Sequence, residues 1–155
     1  MIVVALAPFD GADGRRLNRA YFSEKRDRFP PGYDPEAGMP TLRDDLAPPN
    51  GAFFIMRDGA QAIACAGLNT FDATTAEVKH MFVRPSHRGR GIGAQILAAV
   101  EQHARSLGMT RAVLDTNDCL TEAVALYERS GYVAIEPYND NAWATHWFEK
   151  GLSDS

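Results

Sequence analysis

Long apolar runs are missing from this sequence. The opening stretch Met1 to Phe9 is apolar, but Pro8 and Asp10 cut it short and no basic segment precedes it, so it reads as a first strand. Nothing approaches the roughly 20 residues of a membrane span. Cysteine is scarce as well: Cys65 and Cys119 form no metal or redox spacing, which predicts no metal site and a reduced, cytoplasmic setting. Positive charge is not in excess, with 16 Lys and Arg against 20 Asp and Glu and a formal net charge of -4. A chain that mainly grips nucleic acid would usually be basic, so that role is disfavoured. Repeats, linkers and low-complexity segments are also lacking, and 155 residues at 45% hydrophobic suit one compact domain over 1–155.

What is present centres on Arg84-Pro85-Ser86-His87-Arg88-Gly89-Arg90-Gly91-Ile92-Gly93-Ala94. Upstream, Glu77 to Val83 is rich in β-branched and aromatic residues and bounded by Pro85, as in a strand. Downstream, Ile92, Ile96, Leu97, Val100, Ala104 and Leu107 recur with helical spacing until Gly108. A glycine-rich loop at a helix entrance offers unpaired N–H groups and a positive dipole end to phosphate. Arg84, Arg88, Arg90 and His87 would add side-chain cations, so the loop reads as a diphosphate cradle. A tight surface turn is its plainest alternative. A Walker loop is excluded because no Gly-Lys-Ser/Thr ends it. Gly89, Gly91 and Ala94 with Asp115 fit a dinucleotide fingerprint, yet Arg84 to Arg88 separate strand from glycine, and little chain remains for further parallel units.

Along the chain the pattern predicts a strand at 2–7 and a helix at 13–29, then a Pro- and Gly-rich loop at 33–40 and a short helix at 41–46. Strands follow at 52–57, 61–71 and 77–83, an antiparallel meander with a turn at Asp58-Gly59. After the central helix come a strand at 112–116, a helix at 120–130, a strand at 132–136 and a last strand at 145–149. This is a mixed, mostly antiparallel α/β sheet with helices on its faces.

The signature Arg88-x-x-Gly91-x-Gly93 resembles the pyrophosphate loop, Q/R-x-x-G-x-G/A, of the GNAT superfamily of N-acyltransferases. The Glu77 to Val83 strand ahead of it and the run Asn117 … Leu126-Tyr127 … Gly131-Tyr132 behind it resemble that family too, over roughly Ala52 to Tyr132. The resemblance implies a single GNAT-like domain that uses acetyl-coenzyme A. It implies that Arg88, Gly89, Arg90, Gly91, Ile92, Gly93 and Ala94 hold the pyrophosphate, and that the Met81-Phe82-Val83 main chain pairs with the pantetheine arm like an added strand. Asn117 would contact the same arm, or cap the following helix.

Acyl transfer to an amine needs three things. A base must take a proton, because an amine such as lysine has a pKa of about 10.4. The oxyanion needs a donor, which the family implies is the Met81 N–H. The departing thiolate needs a proton, and Tyr127 matches the family's general-acid tyrosine, although by itself it reads as a core aromatic. The resemblance implies Glu77 as base acting through water, since relatives carry a catalytic glutamate at that strand position. Strand alternation sets aside its rival His80 by placing it on the face opposite Glu77 and Met81. Tyr33 and Asp34, and Tyr138, Asn139, Asp140 and His146, are the candidate substrate contacts.

The expected reaction is direct attack of a primary amine, of a small molecule, on acetyl-coenzyme A in a ternary complex, since no cysteine is placed to carry the acyl group. The alternatives are a non-catalytic acyl-coenzyme A sensor, an acetyltransferase acting on protein lysines or N-termini, and, more distantly, an NAD-binding oxidoreductase. Family habit alone suggests a homodimer.

Overall fold

Stretches rich in β-branched and aromatic residues become seven strands, and the helically spaced stretches become four helices, in a computed structural model that describes residues 1–37 and 39–152. Gly38, within the loop expected at 33–40, and the last three residues of the expected 1–155 domain lie outside the described residues. The strands are β1 (Ile2–Leu6), β2 (Gly51–Asp58), β3 (Gln61–Asp72), β4 (Thr75–Val83), β5 (Arg111–Thr116), β6 (Val133–Ala134) and β7 (His146–Gly151). The helices are α1 (Ala12–Arg28), α2 (Met39–Asp45), α3 (Ile92–Ser106) and α4 (Thr121–Arg129).

One sheet holds all seven strands in the order β1-β2-β3-β4-β5-β7-β6. Only the β4–β5 pair is parallel, and α3 makes the crossover that a parallel connection requires. The expected meander is present as β2-β3-β4. Two elements depart from the sequence reading. Helix α2 begins at Met39, inside the expected loop. The expected strand at 132–136 shrinks to Val133 and Ala134, because Tyr132 turns into the core and its hydroxyl donates to Glu101.

β3 explains why the sheet is covered twice. Ala62 to Leu68 is buried residue after residue, as expected of a central strand with helices on both sides. On one face Ile92, Ile96, Leu97 and Val100 of α3 pack with Phe54, Ala64, Leu68 and Val78. On the other, Leu17 and Tyr21 of α1 pack with Phe53, Ile55, Cys65 and Phe82.

Two irregularities in β4 position the site. First, its pairing with β5 covers only Thr75 to Glu77 against Arg111 to Val113, while β5 remains paired with β7 from Arg111 through Thr116. The strands therefore splay beyond Glu77, leaving one edge of β4 without a strand neighbour among the described residues. Second, Cys65 faces Phe82 and Gly67 faces Lys79, so His80 and Met81 together oppose one residue of β3. This is a β-bulge, and His80 takes a positive φ of 57° at its centre.

Candidate active site

A cavity of about 300 Å³ lies at the splayed edge of β4 and the entrance of α3. Met81, Phe82 and Val83 line it from the strand, and Arg88, Gly89, Gly91, Ile92, Gly93 and Ala94 line it from the loop and first helical turn. Gly89 and Gly91 have φ of 77° and 76°, and a Cβ at either would meet nothing within 4 Å. Glycine alone takes that conformation without strain, and here it keeps the backbone bare toward open space. Gln95 makes the first helical bond, to the Gly91 carbonyl, so the N–H groups of Ile92, Gly93 and Ala94 have no partner within the helix.

The side-chain cations depart from expectation. The Nε–H of Arg84 donates to the Ala62 carbonyl at 2.8 Å, which ties it to β3. Arg90 is exposed and does not line the cavity. His87 does line the cavity, with its ring buried between Ser86 and Asp58. Arg88 does line the cavity, donating from Nε to the Val83 carbonyl at 2.9 Å and pairing with Glu24 and Glu122. Arg129 lines it too, a residue no loop motif could reveal because α4 brings it there. Of the four expected loop cations, Arg88 and His87 thus line the cavity and Arg84 and Arg90 do not, while Arg129 joins them from α4.

A second cavity, about 200 Å³, adjoins the first: Tyr21, Met81, Leu120 and Ala123 line both. Tyr127 lines the second, and its hydroxyl points at Met81 Sδ, 3.6 Å away. Burial raises the Tyr127 pKa, with the charge of Asp115 adding to the effect, so the phenol stays protonated near neutral pH.

Glu77 is buried, yet both of its oxygens are engaged. Oε1 accepts from Asn69 Nδ2 at 3.2 Å and Oε2 from the Tyr138 hydroxyl at 2.7 Å. Asp115 is gripped likewise, by Asn139 at 2.6 Å and Asn141 at 3.2 Å. Tyr138 and Asn139 therefore stand behind the carboxylates and do not line the cavity themselves. His146 pairs with Asp118 and stacks on Phe148, also away from it. Of the expected substrate contacts only Tyr33 lines it, edge-on to Trp143 with ring centroids 5.1 Å apart.

Strand alternation misplaces His80. The bulge interrupts the two-residue period, so His80 lines the second cavity together with Glu77. Its ring lies among those of Phe9, Tyr21, Phe22 and Phe53, whereas Met81 packs against the cluster beneath α3. Burial, and the nearby Lys25, push the His80 pKa well below its ordinary value, so the ring is neutral. Its Nε2–H faces Asn18 Oδ1, the acceptor.

Asn117 lines the second cavity, with its amide committed at both ends. Oδ1 accepts from the Cys119 N–H at 2.9 Å and Nδ2 donates to the Trp143 carbonyl. The side chain fixes the approach to α4 and the loop at Trp143; α4 has no side-chain cap. Lys25 and Trp143 are cavity residues that no sequence motif marked. Among the described residues no group of His, Cys, Asp and Glu is arranged to hold a metal ion, and no helix is long and apolar enough to cross a membrane.

Known proteins are similar to this chain in sequence and in fold. The chain is 32% identical over 137 residues to an N-acetyltransferase of Schizosaccharomyces pombe, covering 86% of this chain and 83% of that one. It is 31% identical over 94 residues to an IAA acetyltransferase of Azospirillum brasilense, covering 60% and 61% respectively. The fold matches an acyl-CoA N-acyltransferase structure from Klebsiella pneumoniae, with a TM-score of 0.81 at 24% identity over 99% of both chains. Residues 17–132, from α1 through the bulged strand and glycine cradle to Tyr132, match the model of the acetyltransferase (GNAT) family; the chain belongs to that family and is an acyltransferase.

Proposed function

We propose that the protein transfers an acetyl group from acetyl-coenzyme A to the primary amine of a small molecule, by direct attack within a ternary complex. The observation that carries this reading is the meeting of two cavities at Met81, with Tyr127 at the junction. One ends in a helix entrance suited to a diphosphate, and the other, about 200 Å³ and walled by Tyr33 and Trp143, suits a compact acceptor better than a protein surface.

The residues fit an acyl-coenzyme A. The bare backbone at Gly89 and Gly91 with the free N–H groups of Ile92 to Ala94 suits its pyrophosphate, and the unpaired β4 edge at Met81 to Val83 suits its amide-bearing arm. That group supplies the activated acyl thioester. The chain holds the two reactants in adjoining cavities, so proximity contributes much of the rate. The Met81 N–H, turned by the bulge, is the assigned oxyanion donor, and the Tyr127 hydroxyl the assigned proton donor to the departing sulfur. Glu77, oriented by Asn69 and Tyr138, is the assigned base through an intervening water. His80 is the weaker choice, because its Nε2–H is directed to Asn18.

The test is calorimetric titration of the protein and of Gly91→Asp with acetyl-coenzyme A and with NAD. Aspartate tolerates a positive φ better than most residues, so the variant should fold while setting a negative charge in the cradle. The expected outcome is coenzyme binding that weakens at least tenfold in the variant, with no NAD binding. Wild-type protein that ignores acetyl-coenzyme A would overturn the assignment.

A further inference from the structure

The second cavity has an unbalanced cation. Two lysines line it, Lys25 from α1 and Lys79 from β4. Lys79 sits 3.6 Å from Glu77 and is accounted for. Lys25 has no carboxylate within ion-pair distance among the described residues, in a molecule where acids outnumber bases 20 to 16. Its ammonium lies among rings instead, 4.3 Å from the centroid of Tyr21, 5.3 Å from Phe22 and 5.9 Å from Tyr33.

Aromatic faces hold a cation in place without neutralising it. Such a cation at the wall of a small cavity retains a full charge to offer, and a ligand's anionic group would recover the solvation that burial removed. The opposite charges come from the sheet: Glu77 and Asp115 line the same cavity, each fixed by hydrogen bonds from loop 138–141. Neither is paired with Lys25. The cavity is thus bipolar, negative on the sheet beside Tyr127 and positive on the α1 wall, with Phe29, Tyr33 and Trp143 supplying apolar surface.

Resting on the acetyl-transfer reading, we infer that the acceptor is an amino acid, a primary amine that also bears a carboxylate, with Lys25 as the residue that receives the carboxylate. The amine then lies toward Glu77 and Asp115 at the reacting end, and the side chain lies against the rings of Phe29, Tyr33 and Trp143. Burial lowers the Lys25 pKa to about 8, which still leaves the group mostly charged at pH 7 when the cavity is empty. A bound carboxylate would hold that proton more firmly. An amine without an anionic group gains nothing from Lys25, so the residue selects substrates without taking part in the chemistry.

The experiment compares acids with their esters. The protein saturated with coenzyme A is titrated calorimetrically at pH 7 with L-phenylalanine, L-methionine and L-glutamate, and with the methyl ester of each; coenzyme A release from acetyl-coenzyme A is then followed with the same six amines. At least one free acid should bind tenfold or more tightly than its ester, as a charge-assisted contact allows. Lys25→Met should erase that preference by weakening the acid alone, with ester binding unchanged and folding checked by thermal unfolding. The wild-type comparison of acid with ester stands even if the variant fails to fold. Equal binding of acid and ester, binding of neither, or a preference that survives Lys25→Met would overturn the inference. Selective binding of an acid that is never acetylated would uphold the carboxylate subsite and overturn the transfer reaction. Equal acetylation of acids and esters would do the reverse.

Discussion

Tyr127 carries two properties that pull apart. Its ring packs in the apolar cluster with Tyr132 and Phe148, which is what a helical apolar spacing predicts, while its hydroxyl reaches the junction of the cavities. Removing only the oxygen separates these roles. Tyr127→Phe should lower kcat by about 100-fold, the lower end of what a positioned proton donor contributes, and leave the affinity for coenzyme A unchanged within about twofold. Steady-state kinetics with calorimetry on the same preparation checks both, and an unchanged kcat would remove the phenol from the reaction. At this scale the sequence was legible where a residue works through its backbone. Gly89, Gly91 and Gly93 line the cradle that the motif predicts. It was less legible where a side chain must choose a partner: Arg84 turns to a β3 carbonyl, and Tyr138 and Asn139 serve the carboxylates behind the cavity. Hydrogen bonds between distant segments leave no periodic trace in the chain.

Helices and strands act at the next scale. The bulge at His80 and Met81 reverses the facing of His80 relative to Glu77, and nothing in Glu77 to Val83 announces it, because the residue with positive φ is a histidine and not a glycine. The ring cage of Phe9, Tyr21, Phe22 and Phe53, with Asn18, offsets the cost of that conformation. A second device joins helices across the first cavity. Arg28 at the end of α1 pairs with Glu122 in the first turn of α4 and donates to the Cys119 carbonyl. The hydrogen bond from Arg28 is the main force holding the Glu122 carboxyl down at about 2, against an ordinary value of 4.5. A depressed carboxylate pKa means that the tie is fully present above about pH 4.5 and is lost as pH falls toward 2. Glu122 is 43% exposed, so screening limits the contribution to about 0.5–1 kcal/mol. Thermal unfolding at pH 6 and pH 3 should show Glu122→Gln less stable than wild type at pH 6, with the difference narrowing at pH 3. A constant difference would mean that Glu122 acts by packing.

Across the whole molecule, both cavities depend on elements far apart in sequence, since the walls come from α1, α2, β4, β5, α3, α4, the glycine loop and residues 141–144. A ligand that spans these walls should therefore stabilise the entire fold. If acetyl-coenzyme A is that ligand, 100 times its Kd should contribute about 2.7 kcal/mol, which for a chain of this size would raise Tm by roughly 5–10 °C. Differential scanning calorimetry with acetyl-coenzyme A and with NAD reads this directly, and a rise with NAD alone would point back to a dinucleotide site.

By itself the sequence determined the order of strands and helices, the glycine cradle and the family, because turn chemistry, periodicity and a glycine-rich turn at a helix entrance are all local in the chain. Only the tertiary structure decided which faces meet. It set where β4 leaves β5, on which side His80 falls, which carboxylates line the second cavity, and that Lys25 stands among rings with no counter-charge among the described residues. Those features are sums of packing and charge over segments that come together only on folding, so no window along the chain contains them.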